Sequence, residues 1–261
     1  MLLIDTHVHL DAEQFDADRE EVLARARQSG VEQMVCPALF AASSRAVVRL
    51  AEAYEAVYAA VGIQPNSAGE AAAGDLDRVE ALIGHRRVVA VGETGLDRYW
   101  DFTPIEVQRE YFDWHLRLAQ EHNLPVIIHC REAESDVLSM LREVTDRGPL
   151  AGVIHAFSGD ETFAKACIEL GLHVGFAGQV TYRNRKFESL RQAATVVPDV
   201  RILLETDSPY LVPHPLRGKQ KRNEPAHLIH TARCLAALRG QPLEDLVGHA
   251  SANARRLFRL P

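Results

Sequence analysis

A (β/α)8 barrel, single-domain over residues 1–261, is the architecture this sequence predicts, and three observations predict it. Short β-rich apolar runs alternate with longer amphipathic segments along the chain. Eight such runs fit into the 261 residues, the count and length of a closed α/β barrel. Several of the runs then stop on His, Glu or Asp, at the strand ends where barrels of this kind carry their working side chains.

Taken in order, the candidate strands are Leu2–His7, Gln33–Pro37, Val57–Gln64, Val88–Glu93, Pro125–Cys130, Ala151–Ala156, Leu172–Gly178 and Ile202–Asp207. Between them, helical periodicity covers Asp16–Ser29, Ser43–Glu55, Thr103–His122, Ser135–Thr145 and Glu161–Leu170. Thr103-Pro104 supplies a cap and a first-turn proline, and Gly or Pro breaks precede several strands. The tail from Glu224 to Leu260 holds two more helical patterns that would complete the outer ring. No linker, low-complexity tract or short repeat divides the chain.

At 47% hydrophobic residues the chain can bury a full core. A formal net charge of −7 argues against a general nucleic-acid coat, which would be basic. It leaves a nucleic-acid substrate open, because bound divalent ions bring their own positive charge. The four cysteines, Cys36, Cys130, Cys167 and Cys234, form no Cys-x-x-Cys pair, so reduced thiols are expected rather than a zinc knot or redox motif. There is no basic leader followed by a long apolar run and no stretch of membrane-spanning length, and a soluble cytoplasmic protein is expected.

The chemistry is concentrated at the strand ends. His7 and His9 alternate on the first strand and so point the same way. Strand four ends on Glu93, strand five on His129, strand six on His155 and strand eight on Asp207. Strict alternation places Val89, Val91 and Glu93 on one inward face, with Ile127 preceding His129 and Val153 preceding His155. Four imidazoles and two carboxylates at one barrel mouth suit two divalent cations with open positions. A carboxylate can bridge two ions and an imidazole cannot, so Glu93 is the expected bridge. His7, His9 and Asp207 would then take one ion, and His129 and His155 the other.

Taken singly, each of these histidines is more simply a hydrogen-bonded structural residue. Six suitable side chains ending five strands in register weaken that account. The other histidines, His85, His115, His122, His173, His214, His227, His230 and His249, lie in helical or loop stretches and are read as packing or surface residues. Glu205 faces inward one layer below Asp207; it either supports a ligand or base from behind, or closes an internal salt bridge.

Basic residues gather after the strands: Arg131 after strand five, Arg183, Arg185 and Lys186 after strand seven, and Arg217, Lys219, Lys221 and Arg222 after strand eight. Charge on the metal side of an acidic chain points to an anionic substrate, with phosphate the obvious candidate. Tyr99, Trp100, Phe102, Tyr182 and Tyr210 lie in the same loops, where base stacking and ordinary loop packing are both open readings.

The motifs Ile-Asp-Thr-His-Val-His-Leu-Asp (4–11), Val-Gly-Glu-Thr-Gly-Leu-Asp (91–97), His-Cys-Arg-Glu-Ala (129–133), His-Ala-Phe-Ser-Gly (155–159) and Leu-Leu-Glu-Thr-Asp-Ser-Pro-Tyr-Leu (203–211) closely resemble the TatD family of metal-dependent deoxyribonucleases. So do Arg217-Gly218-Lys219, Arg222-Asn223-Glu224-Pro225 and the closing 253–258 segment. The resemblance implies a TIM barrel of the metal-dependent hydrolase type, with its metal site at the C-terminal end of the strands. It implies two divalent cations per subunit (Zn, Mg, Mn, Co and Ni being indistinguishable here) and 3′–5′ exonuclease action on single-stranded DNA, or on RNA. The family ligands fall on His7, His9, Glu93, His129, His155 and Asp207, and the Glu-Thr-Asp motif gives Glu205 a catalytic or supporting role.

In the expected mechanism a hydroxide between the metals attacks phosphorus, Asp207 orients or deprotonates it, and Arg217 and Lys219 hold the backbone. Arg131 and Asn66 complete the expected substrate contacts. Two departures stand out: Gln64-Pro65, followed by Asn66, where the family often has His-Pro, and a slightly extended basic loop between Lys219 and Asn223. A monomer with no obligate protein partner and no membrane attachment is expected. The rival readings are a small-molecule ester, lactone or amide hydrolase and a non-catalytic nucleic-acid-binding barrel. The first commonly uses a bridging lysine, and no candidate strand here ends in Lys.

Overall fold

Eight short strands in the order β1 to β8, every neighbouring pair parallel, make one sheet in the computed structural model, which describes residues 2–261. They are β1 (Leu3–Asp5), β2 (Val31–Pro37), β3 (Val57–Val61), β4 (Val88–Asp97), β5 (Val126–Arg131), β6 (Gly152–Ile154), β7 (His173–Phe176) and β8 (Ile202–Leu204). The seam between β8 and β1 is closed by backbone bonds from Thr6 N–H to Leu204 O (3.1 Å), Asp207 N–H to His7 O (2.9 Å) and His9 N–H to Ser208 O (2.8 Å). This is the barrel the sequence predicts.

Each strand leads into a helix: α1 (Arg19–Gln28), α2 (Ala41–Ala53), α3 (Asp75–Glu80), α4 (Ile105–Glu121), α5 (Glu134–Arg147), α6 (Glu161–Glu169), α7 (Glu188–Val196) and α8 (Leu228–Arg239), with α9 (Leu243–Phe258) closing the chain. Helix α4 shows why these segments are helical. Its buried Gln108, Phe112, His115, Leu116 and Ala119 recur at a period that lays one stripe against the barrel. Full burial of Phe112 alone contributes about 1.5–3 kcal/mol relative to exposure. Helix α6 starts where the Asp160 carboxylate accepts the Phe163 N–H at 2.9 Å. Helices α3 and α7 fall outside the five inter-strand patterns named from sequence; α3 has only six residues, too few for a 3.6-residue period to register.

Two apolar layers form the core. The barrel interior holds Ile4, Val35, Tyr58, Ala60, Val89, Ile127, Val153 and Leu203, closed at the bottom by Leu257, Phe258 and Leu260 from the end of the chain. The layer between strands and helices includes Val8, Val91, Phe112, Leu116 and Leu141.

These layers correct one step of the parity argument. Val89 faces the interior but Val91 packs outward, because the β3–β4 register slips between Ala59 and Ala60. Ile4 and Val8 likewise sit in different layers despite equal parity, so the chain turns over between them. His7 and His9 share a face as expected, and that face reaches the mouth through this turn. Among the described residues no helix is long and apolar enough to cross a membrane, and all four cysteines are free.

Candidate metal centre at the barrel mouth

The six predicted donors converge. His7 and His9 bring their Nε2 atoms to 3.2 Å of one another from the end of β1. His129 Nδ1 and His155 Nε2, from β5 and the end of β6, also face each other at 3.2 Å. The His7 and His155 rings stack at 3.9 Å and nearly parallel, which joins the two pairs.

Glu93 stands between the pairs and turns one oxygen to each. Its Oε2 lies 3.4 Å from His7 Nε2 and 3.8 Å from His9 Nε2. Its Oε1 lies 3.0 Å from His129 Nδ1 and 3.2 Å from His155 Nε2. Asp207 Oδ1 joins the first pair, 3.3 Å from His9 Nε2 and 3.7 Å from His7 Nε2. Three overlapping groups, His7–His9–Glu93, Glu93–His129–His155 and His7–His155–Asp207, each bring their donor atoms within 4.8 Å of one another. Facing imidazole nitrogens can share a proton or a cation, and carboxylate oxygens at the same point would supply the rest of a cation's shell; this donor set fits divalent metal.

The electrostatics agree. Burial opposes a charged Glu93, yet the surrounding imidazoles His155 and His129 hold its carboxyl well below the usual range. Burial also opposes charge on His9, but Asp207 and Glu93 outweigh it and raise the imidazole to about 9. His7 is driven the other way, to about 4, by burial and then by the neighbouring His155. The carboxylates are thus kept ionised in a buried site, which favours cations.

Local structure explains the aim of each group. Asp5 accepts from the Thr206 hydroxyl (2.6 Å) and the Thr206 N–H (2.9 Å), tying the ends of β1 and β8 together beneath His7 and Asp207. Asp207 itself sits at φ 52°, a left-handed conformation that turns the chain out of the barrel. Gly95, at φ 136°, lies so close to β5 that a Cβ there would come within 2.0 Å of the His129 carbonyl oxygen.

Sequence reasoning missed Asp97. Strand β4 runs four residues past Glu93 and stays buried, so Asp97 shares its parity two steps on. Its Oδ2 lies 3.0 Å from His129 Nε2 and accepts from the Asn66 amide at 3.0 Å. With Nε2–H directed at Asp97, His129 keeps its Nδ1 lone pair for the centre. The available signal was the Asp that closes 91–97 at Glu93 + 4.

The remaining predicted residues separate into three groups. Arg131 lines the mouth cavity of about 660 Å3, together with Lys186, Tyr210 and the centre itself. Asn66 turns its amide onto Asp97, where it steadies His129, while Gln64 is the residue of that turn that lines the cavity. Arg217 stacks its guanidinium 3.9 Å over the Tyr182 ring, which borders the same cavity, and Lys219 is exposed on the neighbouring turn. The basic cluster after β8 is smaller than its sequence suggests, because Arg222 is engaged by Asp18 and by Glu224 (3.1 Å).

Glu205 is fully buried with no Lys or Arg in ion-pairing range among the described residues, and its basic neighbour is His155. It accepts the Ala156 N–H, lies 3.8 Å from His155 Nδ1, and occupies space that the absent side chain of Gly175 leaves open. Glu205 thus holds the backbone just after His155, while the His155 Nδ1 itself has no hydrogen-bond partner.

The chain is similar to known proteins along nearly its whole length. The family described as TatD related DNase matches residues 4–259. The chain is 39% identical over 259 residues to the uncharacterized metal-dependent hydrolase YabD of Bacillus subtilis, covering 99% of this chain and 100% of that one. It is 38% identical over 261 residues to the 3′-5′ ssDNA/RNA exonuclease TatD of Pantoea ananatis, with 99% and 100% covered. A TatD homolog from Escherichia coli, YJJV, superposes with a TM-score of 0.92 at 32% identity over 99% of this chain and 98% of its own. A barrel whose six strand-end donors meet around one central glutamate, matched end to end by these relatives, belongs to the TatD family.

Proposed function

We propose that this protein is a divalent-metal-dependent phosphodiesterase that removes nucleotides from the 3′ ends of single-stranded DNA or RNA, acting as a single-domain cytoplasmic monomer. The observation that carries the reading is the split of the Glu93 carboxylate, one oxygen toward His7 and His9 and the other toward His129 and His155. A carboxylate placed so could be shared by two cations, and two cations would suit displacement at phosphorus.

His7, His9 and Asp207 would hold one ion, His129 and His155 the other, with Glu93 shared. When bound, such ions acidify water and act as Lewis acids toward phosphoryl oxygens. The protein does the rest. Asp207 commits Oδ1 to the imidazoles and leaves Oδ2 free to take the proton of the attacking water at the cavity wall. Arg131 and Lys186, both on the cavity wall, offset the phosphate charge. Asp97 acts from behind, fixing His129, and Glu205 holds the backbone beside His155 through the Ala156 N–H. A wide cavity with Arg131 and Lys186 on its wall leaves room for an anionic polymer rather than only a small neutral ester.

The test is incubation of metal-loaded protein with 3′- and 5′-labelled single strands, with and without chelator. Glu93→Ala should lose metal retention and cleavage together, and wild-type-like turnover by that variant would refute the assignment.

A further inference from the structure

The centre explains the metal donors but not the loop beside it. Seven large apolar side chains are conspicuously exposed among the described residues. Leu2 and Val200 lie at the opposite end of the barrel, before β1 and β8. The other five, Phe40, Tyr99, Trp100, Phe102 and Tyr210, are all aromatic and all sit on strand-to-helix loops at the mouth. Leaving that much aromatic surface in water on one face points to a ligand for it.

Three of the five come from one loop, between β4 and α4. Trp100 and Phe102 are stacked at 5.3 Å with 16° between ring planes, at 42% and 63% exposure. Tyr99 meets Trp100 edge-on at 4.8 Å. The Arg131 guanidinium lies 3.8 Å above the Tyr99 ring and 5.7 Å from that of Trp100. Trp100 and Arg131 both line the cavity that contains Glu93 and Asp207. Planar groups and a cation are thus set side by side at the edge of the proposed chemistry.

The loop is also held in shape. Asp97 Oδ1 accepts the N–H groups of Tyr99 (2.9 Å) and Trp100 (3.0 Å). The buried Gln108 accepts the Asp97 N–H (2.8 Å) and donates to the carbonyls of Asp97 (3.0 Å) and Thr103 (2.8 Å), clamping both ends of the loop. A platform fixed in this way orders a ligand without first having to order itself.

We propose that Tyr99, Trp100 and Phe102 with Arg131 form a stacking platform for an unpaired nucleobase next to the scissile linkage. The proposal rests on the phosphodiesterase reading and specifies how that site grips its substrate. Every base presents a π-face, so the platform takes bases without regard to sequence. A base held in a duplex has its faces covered by its neighbours, so the platform also selects single strands.

Trp100 reports on itself, because the other tryptophan, Trp114, is packed against the core. Metal-loaded protein is titrated with three probes of equal length joined by hydrolysis-resistant phosphorothioate linkages: a homopolymer single strand, an abasic strand and a blunt hairpin. The single strand should quench tryptophan emission and bind roughly tenfold or more tighter than the abasic strand, the scale of one stacked base. By anisotropy with labelled strands, Trp100→Ala and Phe102→Ala should each weaken binding several-fold or more, and Trp100→Phe should restore most of it. Equal affinity for the abasic strand or the hairpin, or unchanged affinity in both alanine variants, would overturn the platform. Base-dependent binding by a wild type that cleaves no phosphodiester in any divalent metal would instead uphold the platform and overturn the hydrolytic reading alone.

Discussion

Asparagine in place of Asp97 should uncouple metal affinity from the metal donors themselves. Asp97 touches none of the other predicted donors; it lies 3.0 Å from the far nitrogen of His129 and accepts three further N–H groups, from Asn66, Tyr99 and Trp100. Asparagine has nearly the same shape but one acceptor oxygen. Keeping that oxygen on Tyr99 and Trp100 sets its amide donors against Asn66 and against the proton on His129 Nε2. The proton is then better placed on Nδ1, which removes the lone pair that faces Glu93 and His155. Turning the oxygen to His129 instead strands two backbone N–H groups. A hydrogen bond to a charged acceptor contributes about 1.5–3 kcal/mol, and transmission of most of that to Nδ1 costs about ten- to a hundredfold in metal affinity. Metal affinity by calorimetry, beside the melting temperature of the metal-free protein, separates this effect from simple unfolding. Affinity within twofold of wild type in a folded Asp97→Asn protein would refute the tautomer argument.

Two further predictions concern the scaffold. His115 is fully buried, its Nε2 accepting the Ile63 N–H at 3.0 Å, and burial lowers its imidazole to about 4 from an ordinary 6.5. The unfolded chain therefore takes up the proton first, so stability is intact above about pH 6.5 and falls as the pH drops toward 4. The loss amounts to about 3 kcal/mol from this residue; denaturant titrations at pH 7.5 and 4.5 should show a smaller fall in His115→Gln, and an identical fall would sink the assignment. Gly95→Ala puts a Cβ 2.0 Å from the His129 carbonyl at a left-handed φ, whereas Gly84→Ala meets nothing within 4 Å. The first should cost about 3 kcal/mol, a fall of roughly 6–12 °C in melting temperature, and the second almost nothing; equal melting points would show that β4 and β5 separate more freely than their packing implies.

Strand-end chemistry was legible in the sequence because it depends on local pattern alone. An apolar run that stops on His, Glu or Asp needs no knowledge of its neighbours, and parallel pairing then gathers those ends. What escaped depends on register and on partners distant in sequence. Val91 was expected inside because alternation was taken as unbroken, and a slip in the β3–β4 register moved it outward. Strand four was expected to end at Glu93, which hid Asp97, since glycines 92 and 95 weaken the apolar signal of a strand that continues. Arg222 was counted in the basic cluster after strand eight, and folding brings Asp18, 204 residues away, to its side. Asn66 was expected to meet substrate, and its hydrogen bond to Asp97, likewise set by the barrel, was not foreseen.

Two of these hidden connections, those of Asp97 and Asn66, share a centre. One carboxyl group, Asp97, steadies His129 with one oxygen and the Tyr99–Trp100 backbone with the other, and Gln108 fixes its main chain. Displacing the loop therefore displaces the imidazole, and the reverse, without any moving domain. A base stacked on Trp100 and a cation held by His129 would be measured from the same rigid reference. Proximity of that kind counts in a hydrolase, where a misplacement of about an ångström can cost about a hundredfold in rate. It follows that Asp97→Asn should weaken strand binding as well as metal binding, while Phe102→Ala, which leaves Asp97 in place, should weaken strand binding alone. The two variants thereby separate the shared support from the surface it carries.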